Sequence, residues 1–208
     1  MLSRRAVLAG AAAWVAAPAL ATPDPAMAQL VAAAQGQVGV TLIYDGSYRG
    51  LGFPGGDIPR LRGVCTDVVI RAMRDAWDID LQVAVNRDMR NNFSAYPKNW
   101  GLTRPDRNID HRRVPNLETL FARIGAARSV SSDSSVFQMG DIVSWRLTGS
   151  NLPHIGIASD RRSRDDERPL ITHNIGWGTR TQDMLFDHKI TGHFRLGSEQ
   201  RERLRRLA

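Results

Sequence analysis

The sequence predicts an α+β domain with helices first and an antiparallel sheet after them. Two observations carry this. Apolar residues recur at helical spacing in Val68, Val69, Ala72, Met73 and Ala76, and again in Leu117, Leu120, Phe121 and Ile124. The second half then changes to four strand-like runs, at 139–147, 153–160, 170–176 and 190–196. Their short connections favour antiparallel pairing. The chain has 208 residues, 42% hydrophobic and 24% charged, which suits one globular domain with a sizeable core.

The first 21 residues read as a signal peptide. Met1 to Arg5 form a basic start, Ala6 to Ala17 an apolar run too short to span a bilayer, and Ala19-Leu20-Ala21 a cleavage site. Ala26-Met27-Ala28 is a second cleavage site, which would start the domain at residue 29. Ser3-Arg4-Arg5 also fits a twin-arginine signal, so the export route is Sec or twin-arginine and the destination periplasmic. No later segment is long and apolar enough for membrane insertion after cleavage. The formal charge is +7, and removing Arg4 and Arg5 with residues 1–21 leaves +5. A basic exported protein suits an anionic envelope polymer, and export argues against nucleic acid. The domain is expected over 29–197 as a monomer, with a frayed basic tail at 198–208.

Cys65 is the only cysteine. Exported proteins generally pair their cysteines, so a lone one is either a buried inert thiol or a reactive nucleophile. The helical stripe that starts at Val68 puts Cys65 at or just before a helix N-terminus, where unpaired amides and the helix dipole favour a thiolate. Asp67 falls in the first turn, where it complements the dipole or orients a substrate amine.

In the run from Pro153 to Asp160, alternation puts His154, Gly156 and Ala158 on one face and Ile155 and Ile157 on the other. His173 lies on the next run, within reach of His154 if the two strands pair. A nucleophile on a helix terminus, a base on a strand and an orienting group on its neighbour is the general triad arrangement.

Residues 86–135 are a long interval separating the cysteine helix from the strands. In it, Pro115 suits a first helical turn and Gly125 a helix stop. Before that helix, Asp110-His111-Arg112-Arg113 offers arginines for a substrate carboxylate, with His111 and Arg112 as the candidate contacts. The alternative is a local ion pair between Asp110 and an arginine. Upstream, Tyr44 and Tyr48 sit in loop-like sequence and could wall a substrate groove or pack beneath the loop. With one cysteine, no HExxH and no CxxC, no metal site is expected, and the chemistry needs no cofactor.

Gly63-Val64-Cys65-Thr66-Asp67, Gly140-Asp141-Ile142-Val143, His154-Ile155-Gly156-Ile157 and Ile171-Thr172-His173 resemble, in order, the motifs of NlpC-type cell-wall cysteine peptidases. The resemblance implies a papain-like fold and cleavage of an amide bond in peptidoglycan stem peptides. It makes Cys65 the nucleophile, His154 the base and His173 its orienting residue, with Asn174 in reserve, and it places Tyr44 near the nucleophile. The commoner pattern has Asp before the cysteine and Ser-Gly after it, where this chain has Val64 and Thr66-Asp67. Against that pattern the long interval at 86–135 reads as an insertion. GVCTDVVIRA, NIDHRRVPNL, HIGIASDRR and LITHNIG more closely resemble the bacterial domain-of-unknown-function family 1287, which is grouped by similarity with those peptidases. The rival activities are an amidase or acyltransferase on another envelope amide, and a non-catalytic peptidoglycan-binding module.

Overall fold

The computed structural model describes residues 24–208, so the expected signal segment at 1–21 lies outside the described residues. Helix α1 (Pro25–Gln35) starts on Asp24, whose carboxylate accepts a hydrogen bond from the Ala26 amide, with Pro25 in the first turn. Met27, Leu30, Val31 and Ala34 form its buried stripe. Two short parallel strands, β1 (Ile43–Tyr44) and β2 (Arg62–Gly63), lead into α2 (Cys65–Trp77). Asp78, in the left-handed conformation, ends α2. Helix α3 (Leu81–Asn92) and helix α4 (Val114–Arg123) follow.

Six strands make the main sheet: β3 (Ala127–Arg128), β4 (Ile142–Arg146), β5 (Pro153–Arg162), β6 (Pro169–Asn174), β7 (Thr179–Gln182) and β8 (Lys189–Phe194). Their spatial order is β3-β8-β4-β5-β6-β7, and every neighbouring pair is antiparallel. The four expected runs are β4, β5, β6 and β8. Strand β7 carries Thr179, Arg180, Thr181 and Gln182, whose composition has no apolar alternation to announce it. It is the edge strand, defined by its pairing with β6.

The sheet divides two clusters of buried side chains. On one face, Ile142, Ile155 and Ile157 pack with Cys65, Val68, Val69 and residues of the other helices. On the other, Val143, Trp145, Ala158 and Ile171 pack with Phe137, Met184 and Leu185. The alternation read in β5 is thus the boundary between two cores.

Two boundary expectations change. The folded unit starts before residue 29: Asp24 caps α1, Met27 is buried, and Trp77 Nε1 donates to the Ala26 carbonyl at 3.0 Å. The basic tail is not frayed; it is helix α5 (Ser198–Leu207). Leu204 is fully buried in the helix-side core, and Arg201 Nη1 bonds both Asp24 (2.8 Å) and the Leu196 carbonyl (2.9 Å). Charge density in the tail hid its apolar anchors, Leu204 with Leu207 and Ala208 packed against the same core. Segment 86–135 packs into the domain, with Leu117, Leu120 and Phe121 of α4 in the same core as α2.

Candidate functional site

Cys65 opens α2. Val64 before it is extended (φ −117°, ψ −177°) and offers no capping side chain. The first turn is closed from within, because the Val64 amide donates to Asp67 Oδ2 at 2.7 Å. The Cys65 sulfur meets the backbone amides of Ile155, Thr66 and Cys65 itself. Burial outweighs those amides and, with the Asp67 charge nearby, pushes the thiol up to about 12. The thiolate expected at a helix start is therefore not the resting form at neutral pH; desolvation reverses the helix-end effect.

The imidazoles of His154 and His173 are joined, Nε2 to Nδ1, at 2.9 Å, with their rings edge to face. Trp145 lies against His154, its partner across the β4–β5 ladder, with ring centroids 5.9 Å apart. Burial lowers His154 to about 3, assisted by the charges of His173 and His188. Burial likewise lowers His173 to about 4, assisted by His188 and Arg180. Both rings are neutral near pH 7, and one of them donates to the other. A base role for His154 needs the tautomer in which its Nε2–H donates to His173, leaving Nδ1 unprotonated. His173 Nε2 is then a buried N–H, and it has no hydrogen-bond partner among the described residues.

The sheet separates these parts. Ile155 faces α2, so His154 faces the opposite side with Trp145, and His173 shares that side with Ile171. Regular β5–β6 pairing reaches only to Ile157 and Thr172, so His154, His173 and Asn174 lie beyond the last paired residues. At this open end of the seam the Ile155 amide meets the sulfur, one residue along from His154. No hydrogen bond among the described residues joins the thiol to either imidazole. Asn174 faces the helices instead: its Nδ2 donates to the Gly63 carbonyl at 3.1 Å, and its Oδ1 accepts from the Gly176 amide at 3.2 Å. It braces the approach to Cys65 and stays apart from the histidine pair.

Asp67 and Arg112 pair behind Cys65, with half-exposed Tyr44 at their edge. Arg112 forks onto Asp67, Nε to Oδ1 at 3.0 Å and Nη2 to Oδ2 at 2.9 Å, with both side chains buried. The same guanidinium donates to the carbonyls of Asp45 (2.9 Å) and Ser47 (3.4 Å), and Thr66 Oγ1 donates to the Arg112 carbonyl at 3.1 Å. This pair clips the 45–47 loop to the first turn of α2. It spends the groups that the sequence offered to a substrate amine and a substrate carboxylate. Tyr44 is 46% exposed, and partial desolvation of its phenol, then the charges of Cys65 and Asp67, raise it above the ordinary tyrosine value.

The remaining candidates lie elsewhere. His111 is buried, its Nδ1 has no hydrogen-bond partner among the described residues, and desolvation lowers it to about 4, so it offers no open contact. Arg113 takes the local ion pair with Asp110 at 2.9 Å. Tyr48 bonds Asp106 and Asn108 on the surface. His193 pairs with Asp141 at 2.7 Å and stacks on Phe137 in the second core. Among the described residues no cluster of three or more His, Cys, Asp or Glu is arranged to hold a metal ion.

Sequence reasoning missed Arg71. It is fully buried and holds Asp57, Thr41 Oγ1 and the carbonyls of Ile58 and Arg62, which fixes the loop ahead of Cys65. Its position three residues after Val68, on the apolar stripe, is the signal that could have found it.

Comparison with known proteins places these features in a family. Residues 31–196 match the family described as "Domain of unknown function (DUF1287)". The chain is 54% identical over 162 residues to "Uncharacterized protein YijF" of Escherichia coli (strain K12), covering 78% of each chain. The matched span runs from within α1 to the end of the sheet and includes Cys65, His154 and His173. The chain therefore belongs to the DUF1287 family.

Proposed function

We propose that this protein is an exported, periplasmic cysteine hydrolase of papain-like NlpC type that cleaves an amide bond in peptidoglycan stem peptides. The observation that carries the reading is one convergence. A lone cysteine on a helix N-terminus has its sulfur at the amide of Ile155, whose chain neighbour His154, on the other face of the strand, is hydrogen-bonded to a second histidine.

The chemistry runs from a neutral pair. The His154 ring lies on the other face of the sheet from the sulfur, so the chemistry requires it to swing round the open end of the seam. From there its Nδ1 takes the thiol proton as the sulfur attacks the amide carbon. Backbone N–H groups at the start of α2, that of Cys65 among them, hold the oxyanion. His154 then protonates the departing amine, and water hydrolyses the thioester. His173 holds the His154 tautomer in the resting pair. An ion pair would give a thiolate before substrate arrives; here the burial of both groups defers proton transfer until a carbonyl occupies the site.

One observation favours a second reading, a non-catalytic envelope-binding module: the thiol is buried and its ionisation is pushed upward. Digestion of purified peptidoglycan, followed by separation of the muropeptides, decides between them. New products from the wild type that disappear in Cys65→Ala and in His154→Ala support the hydrolase. Binding to sacculi that persists in Cys65→Ala, with no products from the wild type, supports the module. Products that survive in Cys65→Ala remove Cys65 from the chemistry altogether.

A further inference from the structure

The segment after α1 is folded inside out. Gln37 and Thr41 are buried, while Val38, Val40 and Leu42 point to solvent. The polar side chains have inward work: Gln37 Nε2 donates to the Val68 carbonyl at 2.9 Å, and Thr41 Oγ1 donates to the Arg60 carbonyl at 2.7 Å. Nothing in the fold accounts for the outward aliphatics, which a water-facing turn would not need.

Two further segments enlarge the exposed apolar surface. The amides of Leu42 and Ile43 both donate to the Leu61 carbonyl, at 2.9 and 3.0 Å, which sets Leu61 alongside them. The Thr179 amide donates to the Thr41 carbonyl at 2.8 Å, and the Gly178 backbone packs so closely that a Cβ there would lie 3.0 Å from Leu42 Cα. Trp177, next to that glycine, is 76% exposed; Leu42 is 54% and Leu61 48%. At the margin, Arg161 and Arg180 share a depression with Val38, and among the described residues neither makes an ion pair. The molecule beyond residue 21 carries +5.

We propose that this face, Val38, Val40, Leu42, Leu61 and Trp177 with Arg161 and Arg180 at its margin, docks on an anionic lipid bilayer. Protruding aliphatic side chains, an exposed tryptophan and unpaired arginines are the combination an interfacial lipid surface rewards: apolar groups enter the acyl boundary, the indole sits at headgroup level, and guanidinium groups meet phosphates. The docking is peripheral, since no helix of the described residues is long and apolar enough to cross a membrane. It does not depend on Cys65 being a nucleophile. It would hold the Tyr44 side of the candidate site close to the lipid surface, because Tyr44 follows Leu42 and Ile43 in the chain.

The test uses the full chain with phosphatidylglycerol vesicles carrying a trace of photo-crosslinking lipid, and phosphatidylcholine vesicles for comparison. Peptide mapping locates the label, so attachment through the apolar residues 6–17 is scored separately. Label at 38–44, 61 and 177 on phosphatidylglycerol, retained in Cys65→Ala, is the expected result. Leu42→Ser with Trp177→Ser should weaken labelling of that face about ten-fold or more. Arg161→Ala with Arg180→Ala should remove the preference for the anionic vesicle. Label confined to residues 1–23, equal label on both vesicle types, or cross-links between protein copies at this face without lipid would each overturn the proposal.

Discussion

Three buried histidines set the acid limit of this protein. His111, His154 and His173 are 2%, 2% and 1% exposed, and burial lowers them to about 4, 3 and 4 from an ordinary 6.5. A base whose folded value is depressed binds its proton in the unfolded chain first. Stability is therefore complete above about 6.5 and falls as the pH drops from there toward 4. Each histidine costs somewhat over about 1 kcal/mol between pH 7.5 and 5.5, and the three together several kcal/mol. Urea denaturation at the two pH values should show that loss; an unchanged midpoint would contradict the burial of the neutral rings. The Asp67–Arg112 fork makes a second prediction at this scale. Asp67→Ala leaves a buried guanidinium unpaired and should cost about 3–5 kcal/mol, and adding Arg112→Met should recover much of it. Urea denaturation of the single and double variants measures both effects.

At the scale of elements, the informative case is α5. Its composition reads as solvated charge, and six of its residues are arginine or glutamate. Leu204 is nevertheless sealed in the core and Arg201 ties the helix to Asp24. Leu204→Ala should destabilise the protein by about 2–5 kcal/mol, where a frayed tail would show almost no change. Thermal unfolding of that one variant separates the two. The opposite case is α2, whose stripe from Val68 to Ala76 was plain in the sequence because every apolar position faces one core. Strand β7 stood between them: an edge strand of Thr, Arg, Thr and Gln has no pattern of its own and is defined by its partner β6.

For the whole molecule, the N- and C-terminal helices close on each other. Asp24 caps α1 and also receives Arg201 from α5, and the Ala26 carbonyl receives the indole of Trp77. A signal cut after Ala28 would remove all of these contacts, whereas a cut after Ala21 keeps them. If the protein is exported as proposed, the intact mass of the mature chain should therefore correspond to a start at or before residue 24. A mature chain starting at residue 29 would mean that this closure is dispensable. The proposed lipid-docking face fits the same arrangement, since it begins at the C-terminal end of α1, where the chain turns with its apolar side chains outward.

The sequence by itself determined the order of helices and sheet, the place of Cys65 on a helix start, and the two histidines on neighbouring strands. Each rests on local periodicity or on a residue type, and both are properties of short segments. Tertiary structure alone decided the protonation of the site, because desolvation depends on what packs around a group from distant parts of the chain. It also decided the fate of Asp67 and Arg112, which lie 45 residues apart and satisfy each other. Likewise it decided that His154 and His173 join at the open end of the β5–β6 seam while Asn174 turns toward Gly63. Register and sheet sidedness are set by long-range pairing, which no stretch of sequence carries alone.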